Sequence, residues 1–231
     1  MNTPRSGTES AHAAATRVFI VDDHALVREW LGHLLRRERD LVVVGEADEP
    51  GQALAAMAAN PPHVAVIDIS LRHGSGLELI KRLRARLPTV EIVVLSMHDA
   101  LSDVERAFRA GATGYVMKRE STGQIVEAIR EVRAERIFAN SATLEQLKAR
   151  FMGLPTGQET SPTDALSDRE VDVFRRLGLG QTTPQIAEDL GVSLKTVQTY
   201  CGRMKDKLGL GDGQELARLA YRWHASHGRA G

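Results

Sequence analysis

Short apolar runs alternate with helical periods over roughly the first 138 residues. The runs VFIV (Val18–Val21), LVVVGEA (Leu41–Ala47), VAVID (Val64–Asp68), EIVVLS (Glu91–Ser96) and GYVMK (Gly114–Lys118) are almost continuously apolar. Parallel strands covered on both faces have this pattern. After the first run, Leu26, Val27, Trp30, Leu31, Leu34 and Leu35 recur at helical spacing. GQALAAMAAN stops at Pro61-Pro62, GLELIKRLRARLP stops at Pro88, DVERAFRAGATG ends in glycine, and TGQIVEAIREVRAE follows the last run. Five strand–helix units in succession predict an α/β fold, a doubly wound parallel sheet of five strands.

From Ala139 the pattern fades. SATLEQLKARF extends as a helix, and GLPTGQETSPTDA, rich in Gly, Pro, Thr and Ser, reads as a linker. From Leu166 onward the periodicity is wholly helical. LSDREVDVFRRLGLG carries a capping box, Ser167 with Glu170 three residues on. TPQIAEDLGVSLKTVQTYCGRMKDKLG gives a short helix, a turn at Gly191 and a longer helix capped by Ser193. DGQELARLAYRWHA gives a fourth, with Asp212 and Glu215 placed as a second capping box. The expected organisation is a disordered tail over 1–16, an α/β domain over 17–138, a linker over 139–164, an all-α four-helix domain over 165–226 and a short tail over 227–231.

Composition narrows the function. The formal charge is zero, with 30 basic and 30 acidic residues, so the chain is not a wholly basic nucleic-acid coat. Any nucleic-acid contact has to come from a local patch. Cys201 is the single cysteine, which excludes an intrachain disulfide. No apolar run approaches the roughly 20 residues that span a bilayer. The first 16 residues are small and polar with no apolar signal core, so a cytoplasmic location is expected.

In doubly wound sheets, ligands bind at the carboxyl ends of the strands. Asp22 and Asp23 stand there after the first strand, Asp68 after the third, Ser96 after the fourth and Lys118 after the fifth. Taken alone, the Asp22-Asp23 pair suits a solvated turn as well as a site. Converging with Asp68, the pair suits a hard dication such as Mg²⁺, which takes a few protein oxygens. An aspartate can also attack phosphorus and form an acyl phosphate, while a dication and a lysine neutralise the transferring group. His24, His73 and His98 lie near the same rim and raise a transition metal as an alternative.

VDDH, VAVID, LSMHD and GYVMK resemble the receiver domain of bacterial two-component response regulators, over roughly residues 17–138. The resemblance implies a flavodoxin-like receiver in which Asp68 accepts phosphate from a sensor histidine kinase. Asp22, Asp23 and Asp68 would hold Mg²⁺ with the Ser70 carbonyl, and Ser96 and Lys118 would grip the phosphoryl oxygens. Tyr115 matches the family's switch aromatic, which turns inward as Ser96 moves toward the phosphate. The chain departs from the family at Ala25 and in the loop ISLRHGSG, where proline is common, and at Trp30, where a small residue is usual.

The second half resembles the LuxR-type helix-turn-helix over about residues 165–226, so the whole chain looks like a NarL/FixJ-class regulator. On the helix from Leu194, an apolar stripe runs through Leu194, Val197, Cys201, Met204 and Leu208. The opposite face presents Lys195, Thr196, Thr199, Gly202, Arg203 and Lys207, with Asp206 the one acid. Cations and small polar groups on one helix face suit the major groove. By the resemblance, bases would be read near Gln198, Thr199 and Gly202, with Lys195 and Lys207 on phosphates. Tyr200 stands where the family usually has histidine. The stripe Leu216, Leu219, Ala220 and Trp223 on the last helix is either core or dimer seam.

The expected function is a phosphorylation-dependent transcription factor that binds promoter DNA as a homodimer, with enzyme chemistry limited to its own phosphorylation and slow dephosphorylation. Two rivals differ in class. One is a constitutive DNA-binding protein whose receiver serves only to dimerise. The other is a phosphohydrolase of the haloacid dehalogenase type, which needs an aspartate two residues after the nucleophile, where this chain has Ser70.

Overall fold

The computed structural model describes residues 15–71, 73–97, 101–119, 122–152 and 161–227. Most of the N-terminal tail, residues 153–160 of the linker, His98 and residues 228–231 lie outside them.

Five strands form one parallel sheet in the order β2-β1-β3-β4-β5: β1 Thr16–Val21, β2 Leu41–Ala47, β3 Val64–Ile67, β4 Glu91–Ser96 and β5 Gly114–Met117. Each crossover is a helix: α1 Ala25–Arg36, α2 Pro50–Ala59, α3 Gly76–Arg86 and α4 Leu101–Ala110, with α5 Thr122–Arg133 after the last strand. Side chains alternate across a strand, so each strand feeds two cores. Val18 and Ile20 pack with Leu31 and Leu35 of α1 and Ile125 and Ile129 of α5. Phe19 and Val21 face the opposite way, onto Leu54 and Met57 of α2 and Leu79 and Leu83 of α3. Burial on both faces is why the strands read as continuous apolar runs. The apolar face expected of α1 is narrower than its sequence suggests. Leu31 and Leu35 are buried, but Leu26 is 81% and Trp30 40% exposed.

The segment read as leading into the linker is a separate helix, α6 Ser141–Phe151. The Asn140 Oδ1 accepts from the Thr143 N–H at 2.8 Å and starts the helix. Leu147 is buried and, with Leu144, packs into the core cluster that includes the α4 side chains. The stretch read as linker therefore holds a helix and, further on, a 3-10 turn at Pro162–Ala165.

The last four helices are α7 Asp168–Gly178, α8 Thr183–Leu190, α9 Leu194–Leu208 and α10 Gly213–His227. They enclose a core of their own, including Phe174, Ile186, Val197, Met204, Leu216, Ala220 and Trp223. Phe174 and Trp223 meet with ring centroids 5.7 Å apart. The Leu216–Trp223 stripe is therefore core within this domain. The α9 stripe is buried at Val197 and Met204 and half-buried at Cys201 and Leu208, but Leu194 is 42% exposed. Leu194 is the first residue of the helix.

Local signals set the ends of these helices. The expected box at Ser167 is present, its N–H donating to Glu170 at 2.7 Å. Another joins Thr182 and Gln185 at the start of α8. At α10, Asp212 caps the Glu215 N–H at 2.8 Å, but Glu215 reaches back to the Gly211 N–H at 2.7 Å, so that box is shifted by one residue. Gly191 and Gly209 end α8 and α9 in the left-handed region, at φ 63° and 65°, a backbone conformation that residues with a Cβ adopt only under strain. Among the described residues, no helix is long and apolar enough to cross a membrane.

Candidate functional site

The strand order reverses between β1 and β3, and the crevice at their carboxyl ends is where such sheets hold ligands. Asp22 follows β1, Asp68 follows β3, Ser96 ends β4 and Lys118 follows β5, so four adjacent strands converge on one rim. Lys118 Nζ lies 2.6 Å from Asp68 Oδ2 and 2.6 Å from Asp22 Oδ2. Asp23 completes the group, with His24 Nδ1 3.0 Å from Asp23 Oδ1 and 3.3 Å from Asp22 Oδ1. Ligand atoms of Asp22, Asp23, His24 and Asp68 all lie within 4.8 Å of one another. Of the three histidines considered, His24 joins this cluster, His73 is exposed outside it and His98 lies beyond the described residues.

Backbone groups fix the carboxylates. The His24 N–H donates to Asp22 Oδ1 at 2.9 Å, and Arg28 donates to the Asp22 carbonyl at 2.6 Å. The Ser70 N–H donates to Asp68 Oδ1 at 2.8 Å. Ser70 thus meets Asp68 through its N–H.

The electrostatics favour a cation. Asp68 is 3% exposed. Burial pushes its pKa up against the opposing pull of Lys118, and the charge of Asp22 pushes it the same way as burial. Burial works against the charge of Lys118 too, yet the two carboxylates outweigh it and raise its pKa. The two partners shift in ways that carry opposite signs for stability, because Asp68 shares its lysine with Asp22 while bearing its own full desolvation. Two carboxylates bridged by one lysine, with a third in the same cluster, leave negative charge in excess. The three carboxylates offer oxygen donors that fit a hard dication keeping several waters, with the His24 imidazole beside them, and these carboxylates suit Mg²⁺.

Ser96 is fully buried. It hydrogen-bonds Tyr115, which is itself 3% exposed and turned inward. Burial, then the charge of Asp103, push the Tyr115 hydroxyl well above its ordinary pKa, and Arg175 and Asp68 also act on it. Asp103 lies on α4 and Arg175 on α7, so the rim is connected to the second domain.

Sequence reading missed that connection. Arg175 Nη2 pairs with Asp103 Oδ1 at 2.6 Å, with both side chains buried. Asp168 receives Lys81 at 2.7 Å and Arg106 at 2.8 Å, and these bonds hold its carboxyl below the usual range although burial opposes them. Arg106 also donates to the carbonyls of Thr163 and Leu166. Arg176 donates to the Leu71 carbonyl at 2.8 Å and the Gly74 carbonyl at 3.3 Å, and the Gly74 N–H donates to Asp189 O at 3.1 Å. The signal was present as charged residues at 168, 172, 175 and 176, one face of α7, but such a face ordinarily reads as solvated.

The helix α9 packs on α7, α8, α10 and the Pro162–Ala165 turn. Of the residues expected to face DNA, Lys195, Gln198, Thr199, Arg203 and Lys207 are exposed, and Thr196 and Gly202 are half-exposed. Lys207 is less free than expected, because its Nζ pairs with Glu170 of α7 at 2.6 Å. Thr199 turns its hydroxyl back to the Lys195 carbonyl at 2.9 Å. Burial raises the pKa of the half-buried Cys201 thiol, which makes it a poor nucleophile.

Comparison with known proteins agrees across both domains. Residues 18–130 match the family described as response regulator receiver domain, and residues 164–220 the family described as bacterial regulatory proteins, luxR family. The chain is 35% identical to the DNA-binding transcriptional activator DevR/DosR of Mycobacterium tuberculosis, over 84% of this chain and 88% of that one. It is 34% identical to the transcriptional regulatory protein UhpA of Escherichia coli, over 88% and 97% respectively. Among solved structures, the fold resembles RcsB of Salmonella enterica bound to a promoter in the presence of phosphomimetic BeF3⁻, with a TM-score of 0.65 and 22% identity over 90% of this chain and 98% of that one. A LuxR-family response regulator from Aurantimonas is 29% identical over 60% of this chain and 99% of that one, with a TM-score of 0.57.

Proposed function

The chain belongs to the response regulators that join a receiver domain to a LuxR-type DNA-binding module, and from that premise we propose that it is a transcription factor switched by phosphorylation of Asp68. Residues 17–138 act as the receiver and 165–226 as the DNA-binding domain. The observation that carries the reading is the Lys118 bridge between Asp22 and Asp68 on a rim that also gathers Asp23 and Ser96.

In this reading an Asp68 oxygen attacks the phosphorus of a phosphohistidine on a sensor kinase, or of a small phosphodonor. The P–N or P–O bond breaks, an acyl phosphate forms, and the electron pair leaves with the donor. Asp22, Asp23 and Asp68 would hold Mg²⁺ with the Ser70 carbonyl, and the ion would neutralise charge on the transferring phosphoryl group. Lys118 does the same from the protein side. It is already within ion-pair distance of the acceptor, so little reorganisation precedes transfer. Ser96 then has its hydroxyl available to a phosphoryl oxygen. Water attack on the acyl phosphate returns the free carboxylate slowly.

The second domain reads promoter DNA through Gln198, Thr199 and Gly202, with Lys195, Thr196, Arg203 and Lys207 as flanking contacts. The promoter-bound relative and a solved structure described as two RcsB dimers on two parallel DNAs support a homodimer on DNA. The protein works in the cytoplasm, where its DNA and a kinase's cytoplasmic domain are both within reach.

Incubation with radiolabelled acetyl phosphate and Mg²⁺ tests the reading. Label is expected on Asp68, lost in Asp68→Asn, together with tighter promoter binding after phosphorylation. Label on another residue would overturn the assignment. Promoter affinity indifferent to phosphorylation would favour the constitutive regulator instead.

A further inference from the structure

The seam between α4 and α6 does not close along its whole length. Leu147 is buried in it, but the two helices also leave a cavity of about 570 Å³. Phe108 and Ala112 line it from the α4 side, Leu144 and Leu147 from α6, and Ile137 from the segment between β5 and α6 in space. Protein interiors carry few voids larger than a water molecule, whereas small-molecule sites are mostly apolar hollows of this size with a few polar groups. Ile137 is 65% exposed, yet its backbone is held in place. The next residue, Phe138, is tied to the sheet edge: its N–H donates to the Thr113 carbonyl at 3.0 Å, and its carbonyl accepts from the Tyr115 N–H at 2.7 Å. A lone exposed apolar side chain is ordinary. One held at a cavity that also shows half-buried Phe108 and Leu144 extends a contiguous apolar surface, and such surfaces mark binding sites.

The polar groups on the lining define the other end of a ligand. Thr113 has its hydroxyl engaged, donating to Glu91 at 2.9 Å and accepting from the Ile92 N–H at 3.2 Å. The body of an occupant therefore needs no polar atoms. Arg109 and Lys148 line the cavity from one helix each, and both are largely exposed. Each pairs with an acid of its own helix, Arg109 with Glu105 at 2.5 Å and Lys148 with Glu145 at 2.7 Å. Exposed pairs of this kind are weak, so both cations can turn to a ligand. Glu105 is mostly covered while Arg109 is not, so the charge that the cavity shows to solvent is positive. Arg109, Glu105 and Leu147 also line a second, polar cavity of about 710 Å³ that holds Lys81 and Arg106. The apolar hollow thus gives way to polar surroundings at Arg109.

We propose that this cavity binds a medium-chain fatty acid, its alkyl chain against Phe108, Ile137 and Leu144 and its carboxylate on Arg109 and Lys148. Arginine meets a carboxylate through two parallel hydrogen bonds, and a saturated chain asks for no polar partner inside. The site stands apart from the phosphoacceptor. It lies by Ala112 and Thr113, at the amino end of β5, whereas Asp68, Ser96 and Lys118 lie at the carboxyl ends of their strands. A bound chain bridges α4 to α6, and α6 belongs to the segment that joins the two domains. The site therefore gives the regulator a metabolite input that does not depend on phosphorylation of Asp68.

Isothermal titration of the full chain with dodecanoate, kept below its micelle concentration, tests this. One dodecanoate per chain is expected, and dodecyltrimethylammonium, the same chain with a cationic head, should bind at least about tenfold more weakly. Ile137→Asp should weaken dodecanoate by about tenfold or more, through lost apolar contact and a like charge at the cavity edge. Arg109→Gln should weaken dodecanoate about tenfold while leaving dodecan-1-ol, which has no charge, unchanged. Leu26→Ala, at an exposed apolar position on α1, should match the wild type. Should Ile137→Asp fail to fold, the contrast between dodecanoate and dodecan-1-ol in Arg109→Gln decides alone. Several dodecanoates per chain, or an affinity that ignores both variants, overturns the site. Absence of binding overturns it too, and a dimer that Ile137→Asp dissociates would then assign this face to a second copy of the chain.

Discussion

Lys118 Nζ stands 2.6 Å from Asp68 Oδ2 in a pocket where Asp68 is almost wholly buried. The pair does not fully compensate the carboxylate, because the same lysine is held by Asp22. Burial, the largest influence, raises the Asp68 pKa above its ordinary value of 3.8. A raised pKa means that the folded state holds the proton more tightly than the unfolded one. The stabilising effect is then complete at acid pH and is lost as pH rises through the folded pKa. At neutral pH the ionised Asp68 is a net cost to the fold.

Asp68→Asn should therefore melt at a higher temperature than the wild type at pH 7, with the gap closing as pH falls toward 4. Calorimetry across that range measures it. A variant less stable than the wild type at pH 7 would show that the Lys118 attraction outweighs burial.

Neutralising Asp23 addresses the ion. Asp23 lies in the cluster beside His24, while Lys118 bridges Asp22 and Asp68, so Asp23→Asn removes cation attraction and leaves those two ion pairs in place. Mg²⁺ affinity, followed by isothermal titration, should fall at least tenfold, which is about 1.4 kcal/mol. The wild type at a Mg²⁺ concentration of about 100 Kd should gain roughly 2.7 kcal/mol of stability, and the variant much less at that concentration. Equal Mg²⁺ affinities would remove Asp23 from the ion site.

How much of this could be read in advance follows from range. Each strand was legible because both its faces are buried by the fold as a whole, so its apolar run was uninterrupted. The rim was legible because strand ends in such a sheet meet at one edge whatever the loops do. The α6 helix was legible as well, because Leu144 and Leu147 carry the helical period, although the expected domain boundaries placed it inside the linker. The seam between the two domains was hidden. Arg175 and Asp103 are 72 positions apart, and charge on a helix face says nothing of whether solvent or another domain covers it. Leu26 and Leu194 show the converse, apolar positions in helical register that the packing leaves outside.

Gly202 sits in the middle of α9, where glycine costs about 1 kcal/mol relative to alanine. A Cβ built there meets nothing within 4 Å. Gly202→Ala should therefore stabilise the free protein by about that amount. If glycine is there to let the backbone approach DNA closely, the same variant should bind promoter DNA more weakly. Gel-shift titration beside thermal melting separates the two effects. Higher stability with unchanged affinity would sink the close-approach reading.

Gly76 tests how the fold holds the phosphoacceptor. It opens α3, and its Cα faces the backbone just after β3. A Cβ there would lie 2.2 Å from the Asp68 carbonyl oxygen and 2.5 Å from Ile69 Cα. Neither is a flexible side chain, so α3 or the Asp68 loop has to move. Overpacking of this kind costs about 1–3 kcal/mol. The displacement would also fall on the segment that aims Asp68 at Lys118 and the ion. Gly76→Ala should therefore lower the melting temperature and slow acetyl-phosphate labelling even where the protein remains fully folded. A control at Gly51, where an added Cβ meets nothing within 4 Å, should leave labelling unchanged. If Gly76→Ala loses stability but labels at the wild-type rate, then α3 yields rather than the loop, and Asp68 is held chiefly by the β3 register and the Ser70 N–H.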